Sequence, residues 1–277
     1  MTAVQSATIN GTTVRWWEFG APDQPPLMML HGFRGNHRGL IDLAEQITDR
    51  RIIVPDLPGW GESGKLHTKH EFLAYIAFLR QFAVSLNIVP FDLFGHSFGA
   101  SLALVFASYH SDLLRQLILL APVVDAKTVT SRIGEAYYQV GAKLPPPLNK
   151  KWVTSAALNR ISTELLTTTR DPILKRRIVR DEQDNLKYID HRVETETFLD
   201  FYRVDFMAAA AKITAPTTLI IGDRDQMTSL PIARRLVNAI PNSRLELIPG
   251  AGHFLQVEEP IAVAGIINHQ PVNLPTS

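Results

Sequence analysis

Residues 91–109, Phe-Asp-Leu-Phe-Gly-His-Ser-Phe-Gly-Ala-Ser-Leu-Ala-Leu-Val-Phe-Ala-Ser-Tyr, decide how the chain is read. The apolar run Phe91–Phe94 has strand character, and Phe98–Tyr109 repeats apolar residues with helical spacing. Between them lies Gly95-His96-Ser97-Phe98-Gly99, a G-x-S-x-G turn in the strand-turn-helix setting that gives this pattern its meaning. A serine on so tight a turn is held in a strained backbone conformation that lifts its Oγ clear of the sheet. Both flanking positions must be small because they pass close to neighbouring backbone. The helix that follows leaves free N–H groups beside the hydroxyl, where negative charge can develop. Ser97 is therefore the candidate nucleophile.

Working outward, short apolar runs alternate with helical patterns. Thr12–Phe19, Leu27–Leu30, Arg51–Pro55, Gln116–Val124, Thr217–Ile221 and Arg244–Pro249 read as strands, with Asn10-Gly11 a hairpin turn ahead of the first. Helical patterns fall near Leu40–Thr48, Glu71–Leu86, Pro231–Ile240 and Pro260–Asn268. Runs of this kind predict an α/β fold: a mostly parallel sheet of about eight strands with helices on both faces. From Asp125 to Phe206 the alternation stops. This stretch holds nearly half of the chain's charged residues and the run Pro145-Pro146-Pro147. It reads as a helical cap or lid, residues 125–206, inserted in a core domain of residues 1–124 and 207–277. The basic cluster Lys175-Arg176-Arg177 with Arg180 reads as solvated surface, since Asp181, Glu182 and Asp184 follow it.

A serine nucleophile needs a base, and the base an orienting acid. Of nine histidines, His253 has the supporting context. Gly250-Ala251-Gly252-His253 follows a strand and precedes a helix, so the loop can present an imidazole at the sheet's edge. His31 and His96 read as packed or hydrogen-bonded residues. The acid is expected in Gly222-Asp223-Arg224-Asp225, after Thr217–Ile221. Asp225 lies further into the loop and is preferred, with Asp223 and Asp125 as alternatives. The order Ser97, Asp225, His253 is nucleophile, acid, base.

Several classes fall away on composition. The 277 residues carry 28 Lys and Arg against 27 Asp and Glu, so the basic excess of a nucleic-acid binder is missing. With no cysteine there is no disulfide, thiol nucleophile or Cys-ligated metal. No apolar run is long enough to span a membrane and the first residues lack the pattern of a signal peptide, so a cytoplasmic location is expected.

The chain resembles the α/β-hydrolase superfamily, of the sort with a helical cap between the sixth and seventh core strands. The resemblance runs nearly the whole length. It rests on His31-Gly32-Phe33, Asp56-Leu57-Pro58-Gly59-Trp60-Gly61-Glu62-Ser63, the elbow at Ser97, Gly222–Asp225, and Gly252-His253-Phe254-Leu255 with Glu258 and Pro260. It implies an oxyanion hole of two backbone N–H groups, from Phe33 and Phe98, and a serine hydrolase acting through an acyl-enzyme. Carboxylic esters are the expected substrates, small or medium and apolar. No metal or organic cofactor is implied, and the partner is a small-molecule substrate. Tyr137, Tyr138, Trp152 and Phe198 of the cap are pocket candidates, and Trp60 is a candidate for the pocket entrance. Serine at the elbow argues against the family's epoxide hydrolases and haloalkane dehalogenases, which use aspartate there. Perhydrolysis, carbon–carbon bond hydrolysis with the same three residues and receptor-like ligand binding are the alternatives. Neither substrate identity nor oligomeric state can be read from the residues.

Overall fold

The computed structural model describes residues 3–125 and 129–268. Eight strands form one sheet: β1 (Ala3–Ile9), β2 (Thr12–Phe19), β3 (Pro26–Leu30), β4 (Arg51–Pro55), β5 (Phe91–His96), β6 (Leu114–Leu120), β7 (Thr217–Gly222) and β8 (Ser243–Ile248). Their order is β1-β2-β4-β3-β5-β6-β7-β8. Only β1 with β2 and β2 with β4 pair antiparallel; every other neighbour is parallel. The hairpin turns at Asn10 and Gly11, both with positive φ, as the primed two-residue turns require.

The helices are α1 (Ile41–Ala44), α2 (Phe72–Ser85), α3 (Phe98–His110), α4 (Val129–Ala142), α5 (Pro146–Val153), α6 (Ala156–Leu166), α7 (Pro172–Asn185), α8 (His191–Phe201), α9 (Phe206–Ala210), α10 (Leu230–Ala239), α11 (Leu255–Glu258) and α12 (Pro260–Asn268). No helix among the described residues is long and apolar enough to cross a membrane.

Both faces of the sheet are covered, and the strands alternate between two cores. Met28, Leu30, Ile53, Leu93, Leu117, Leu119, Leu219 and Ile221 join the cluster that includes side chains of α2 and α3. Their neighbours Leu27, Met29, Ile52, Phe94, Ile118, Leu120 and Ile220 join the cluster that includes side chains of α1, α11 and α12. Successive residues of a strand point to opposite faces, so a strand buried on both sides needs apolar residues throughout.

Most element boundaries fall within one or two residues of the sequence reading, and two differ by more. The strand expected to run to Val124 ends at Leu120, where Ala121 turns into a positive φ of 47° while still donating to Ile220 O. The helix expected over Leu40–Thr48 is α-helical only at Ile41–Ala44. A 3₁₀ turn, His37–Leu40, precedes it. Gln46 and Ile47 then bond three residues back, which tightens its end.

Strands β4 and β5 flank β3, so the chain changes direction across the sheet between β3 and β5. In open α/β sheets that switch point leaves a crevice at the strands' carboxyl ends. His31–Gly35 leaves β3 there and Ser97 leaves β5. Between β6 and β7 the described residues contain helices α4 to α9 and no strand.

Candidate active site

The elbow is built by close approach. Ser97 has φ 54° and ψ −118°, outside the regions a serine ordinarily occupies. A Cβ on Gly95 would sit 2.3 Å from Gly99 O, and one on Gly99 would sit 2.4 Å from both Leu30 O and His31 O. The two glycines thus let α3 leave the sheet steeply. Ser97 N–H donates to Leu120 O across to β6, which fixes the turn to its neighbouring strand.

Ser97 Oγ lies 2.9 Å from His253 Nε2, and His253 Nδ1 lies 2.9 Å from Asp225 Oδ2. An ionised carboxylate only accepts, so Nδ1 carries the proton and donates to Asp225. This leaves Nε2 to accept from the Ser97 hydroxyl. The other carboxylate oxygen, Asp225 Oδ1, accepts from Met227 N–H at 2.7 Å and Thr228 N–H at 3.0 Å. Burial alone would raise the Asp225 carboxyl. The imidazole beside it and these two amides outweigh burial and hold it below its ordinary value. Asp223, the alternative in the same loop, turns away and accepts from Gly250 N–H at 2.7 Å.

The loop carrying His253 is braced from three sides. His96 Nε2–H donates to His253 O at 3.0 Å. Burial, with His253 nearby, pushes the His96 imidazole down to about 3, so it stays neutral and keeps this donor. Gly252 N–H donates to Glu258 Oε2 at 2.9 Å, while Glu258 also accepts from Thr168 N–H and Thr168 Oγ1–H. Thr168 follows α6, so Glu258 ties the inserted helices to the histidine loop. His253 N–H reaches Leu166 O at the end of α6.

On the opposite side, His31 accepts from Leu57 N–H at Nε2 and donates from Nδ1 to Gly32 O, which pins the turn after β3. Gly32 lies against the nucleophile: a Cβ there would be 3.4 Å from Ser97 Cβ. The Phe98 N–H opens the first turn of α3, where intrahelical partners are lacking. Among the described residues neither the Phe98 nor the Phe33 N–H donates to another group.

The aromatic candidates form two groups joined where Tyr137 stands edge-on to Tyr138, with centroids 5.2 Å apart. Phe33 stands edge-on to Trp60, Phe98 and Tyr138 and tilts against Phe198, with centroids 5.1 to 6.3 Å away. Tyr138 and Phe198 stack on each other at 3.8 Å. Tyr137 and Trp152 instead stack on one another, and Trp152 is 39% exposed. Trp60 needs correction. It is 2% exposed and its Nε1–H donates to Tyr75 Oη, so it backs Phe33 from inside the core and does not stand at an entrance. A fully buried indole needs a partner for its N–H, and the fold supplies one at depth.

Three polar residues were missed from the sequence. Arg34, next to Phe33, reaches Tyr138, Val153, Asn159 and Glu194 of the inserted helices. Glu194 is buried in contact with it. Glu182 of α7 lies within electrostatic reach of His253 and Arg34, and burial raises its carboxyl to about 7 although Arg34 opposes the shift. Glu182 and Glu194 sit in the charge-rich inserted stretch, and although Arg34 directly follows the His31-Gly32-Phe33 motif, only tertiary structure shows what its side chain meets. No cluster of three or more His, Asp or Glu positioned for a metal occurs among the described residues.

Comparison with known proteins fits this geometry. Residues 25–260 match the family described as alpha/beta hydrolase fold. The chain belongs to that family. It is 26% identical over 264 residues to the dihydrolipoyllysine-residue acetyltransferase component of an acetoin cleaving system from Pseudomonas putida, covering 92% of this chain and 66% of that protein. It is 24% identical over 249 residues to a 2-hydroxy-6-oxononadienedioate/2-hydroxy-6-oxononatrienedioate hydrolase of Pseudomonas putida, covering 84% and 82% of the two chains. The crystal structure of a bromoperoxidase from Bacillus anthracis superposes with a TM-score of 0.81 at 18% identity, over 96% of this chain and 98% of that one.

Proposed function

We propose that the chain is a serine hydrolase of carboxylic esters, with Ser97 as nucleophile, His253 as base and Asp225 as orienting acid. One observation carries this reading. A strained serine at a helix N-terminus is hydrogen-bonded in line through His253 to a buried aspartate. Ser97 Oγ attacks the acyl carbon as its proton passes to His253 Nε2. Asp225 keeps the imidazole oriented and stabilises the cation formed. The carbonyl oxygen takes up negative charge and accepts from the Phe98 and Phe33 N–H groups. A single donor of this kind is worth about 2.7–4 kcal/mol in a comparable site. His253 then returns the proton to the leaving alkoxide, leaving an acyl-Ser97 ester. Water attacks this ester, giving a proton to His253 Nε2, which passes it to Ser97 Oγ as the Oγ–acyl bond breaks and the acid is released. The step balances with these residues and water.

The inserted helices, residues 125–206, act as a cap in this reading. Phe33, Phe98, Tyr138 and Phe198 offer an apolar wall to the acyl or alcohol group, which supports a small or medium apolar substrate. The names of the relatives, an acetyltransferase component and a dienedioate hydrolase, differ in the chemistry they state. Fold kinship therefore supports the α/β-hydrolase framework and leaves both the reaction and the substrate to the site and its pocket.

The test is hydrolysis of p-nitrophenyl esters of increasing acyl length, with Ser97→Ala alongside. Saturable turnover that disappears in the variant is expected, strongest for short and medium chains. No wild-type turnover above the variant on any ester would remove the esterase reading.

A further inference from the structure

The turn beside the nucleophile contains a residue that its backbone does not favour. Gly35 N–H donates to Gly32 O at 3.0 Å and closes the four-residue turn Gly32-Phe33-Arg34-Gly35. Arg34 occupies the third position with φ 61°. That is the left-handed region, where glycine or asparagine is the ordinary choice. Arginine gains nothing there from its backbone, so the reason for it lies in its side chain.

That side chain is spread over four inserted helices. Nη2–H donates to Tyr138 Oη of α4 at 3.0 Å and to Val153 O, the last residue of α5, at 2.5 Å. Nη1–H donates to Asn159 Oδ1 of α6 at 3.1 Å. Nε–H donates to Glu194 Oε1 of α8 at 2.7 Å, and Nη2 makes a second, shorter contact with the same oxygen. Tyr138 Oη–H donates to Glu194 Oε1 as well. Glu194 is fully buried, so this arginine is what makes its charge tolerable. Arginine's planar fork suits several fixed acceptors at once, which a lysine ammonium on a flexible stem cannot match.

The second position of the same turn carries the candidate oxyanion donor. Phe33 N–H is one residue from Arg34, and the Phe33 ring touches Tyr138 and Phe198 of the same inserted helices. We propose that Arg34 is a positioning residue: the inserted helices grip its guanidinium and thereby hold the Gly32–Gly35 turn so that Phe33 N–H faces the oxygen that becomes charged on Ser97 attack. Cap packing and oxyanion stabilisation are one event in this arrangement. This rests on the serine hydrolase reading above.

The test compares kcat and KM on p-nitrophenyl butyrate, and the rate of Ser97 labelling by a fluorophosphonate, for wild type, Arg34→Gly, Arg34→Lys, Glu194→Gln and the double variant Arg34→Lys/Glu194→Gln. Thermal melts establish that each is folded at the assay temperature. Misaiming a donor should cost less than deleting one, so Arg34→Gly is expected to lower kcat by ~10- to 100-fold with KM changed by less than about threefold. Arg34→Lys should recover part of that loss. Glu194→Gln should lower kcat in the same sense, and the double variant should fall no further than Arg34→Lys alone, because both act through one contact. Labelling rates should follow kcat, since the phosphoryl oxygen occupies the same hole.

Wild-type kcat and labelling in Arg34→Gly, with only KM altered, would overturn the proposal and leave Arg34 as a cap anchor. If Arg34→Gly does not fold, unchanged kcat in Glu194→Gln overturns it instead. A wild type that neither turns over nor labels removes the hydrolase reading and the proposal with it, whereas a reactive wild type with indifferent variants removes the proposal alone.

Discussion

Two buried histidine–aspartate pairs stand near the carboxyl ends of the sheet's strands. His253 Nδ1 is 2.9 Å from Asp225 Oδ2 after β8 and β7, and His37 Nδ1 is 2.9 Å from Asp56 Oδ1 after β3 and β4. Burial does not separate them: His253 is 4% and His37 5% exposed, and neither aspartate exceeds 6%. Both aspartates also accept backbone N–H groups, from Met227 and Thr228 in one pair and from His37 and Glu62 in the other. The difference lies in what else the imidazole meets. His253 presents Nε2 to Ser97 Oγ, whereas the His37 ring stacks face to face on Trp17. A short, buried His–Asp contact is therefore a way to fix a loop as readily as a way to run a reaction. What else the imidazole meets, a serine hydroxyl at Nε2 or an indole on its ring face, decides which.

The comparison can be broken most sharply by exchanging effects between the pairs. His253→Ala should lower ester kcat/KM by ~10⁴- to 10⁶-fold while the fold persists, as loss of such a base does elsewhere. His37→Ala should keep kcat within about tenfold and lose stability by roughly 1–3 kcal/mol, because buried Asp56 Oδ1 loses a hydrogen-bond partner. Ester kinetics and urea unfolding on both variants check this. The same exchange holds one residue deeper. Asp225→Asn should cost on the order of 10⁴ in kcat by favouring the wrong tautomer. Asp56→Asn should cost stability and leave the rate largely intact, because a carboxylate accepting two backbone N–H groups is replaced by a neutral amide.

A smaller effect concerns pH. Glu182 lies within electrostatic reach of His253, and its folded value of about 7 stands above its ordinary 4.5. Below about pH 4.5 it is protonated in both folded and unfolded chains. As pH rises through the interval to about 7, the unfolded chain releases the proton first, so folding stability is lost. Glu182→Gln should therefore flatten the wild type's decline in urea midpoint across that window. Asp225 works in the opposite sense. Its depressed value contributes stability that is present above the ordinary carboxylate range and lost as pH falls through the folded value. The smallest effect expected is that of Trp17→Leu, which removes the stack on His37. It should cost about 1–2 kcal/mol and move kcat by less than about twofold.

Local chemistry made the alternating sheet and the loops of Ser97, Asp225 and His253 readable from sequence. A strand buried on both faces announces itself as an apolar run, and a strained elbow needs Gly95 and Gly99 beside Ser97, because backbone passes within reach of any added Cβ. These constraints act over a few residues. Arg34 and Glu194 lie 160 residues apart and Glu258 and Thr168 lie 90 apart. Arg34 and Glu194 look like ordinary solvated charge, and Thr168 gives no sign of meeting Glu258, until the inserted helices fold against the core. The same limit applies to Trp60, whose depth depends on Tyr75 and Phe33 meeting it from other elements. His37 shows the converse. Its stretch of sequence gives no reason to pair it with Asp56, and the pair exists because the turns after β3 and β4 end side by side.

The central claim is that Ser97, activated by His253, is the nucleophile. Its most direct test is intact-mass measurement after incubation with a fluorophosphonate, followed by peptide mapping. The account predicts a single adduct on Ser97, none in Ser97→Ala, and labelling slowed by orders of magnitude in His253→Ala but not in His37→Ala. An adduct on another residue, or labelling that His253→Ala leaves at the wild-type rate, would contradict it.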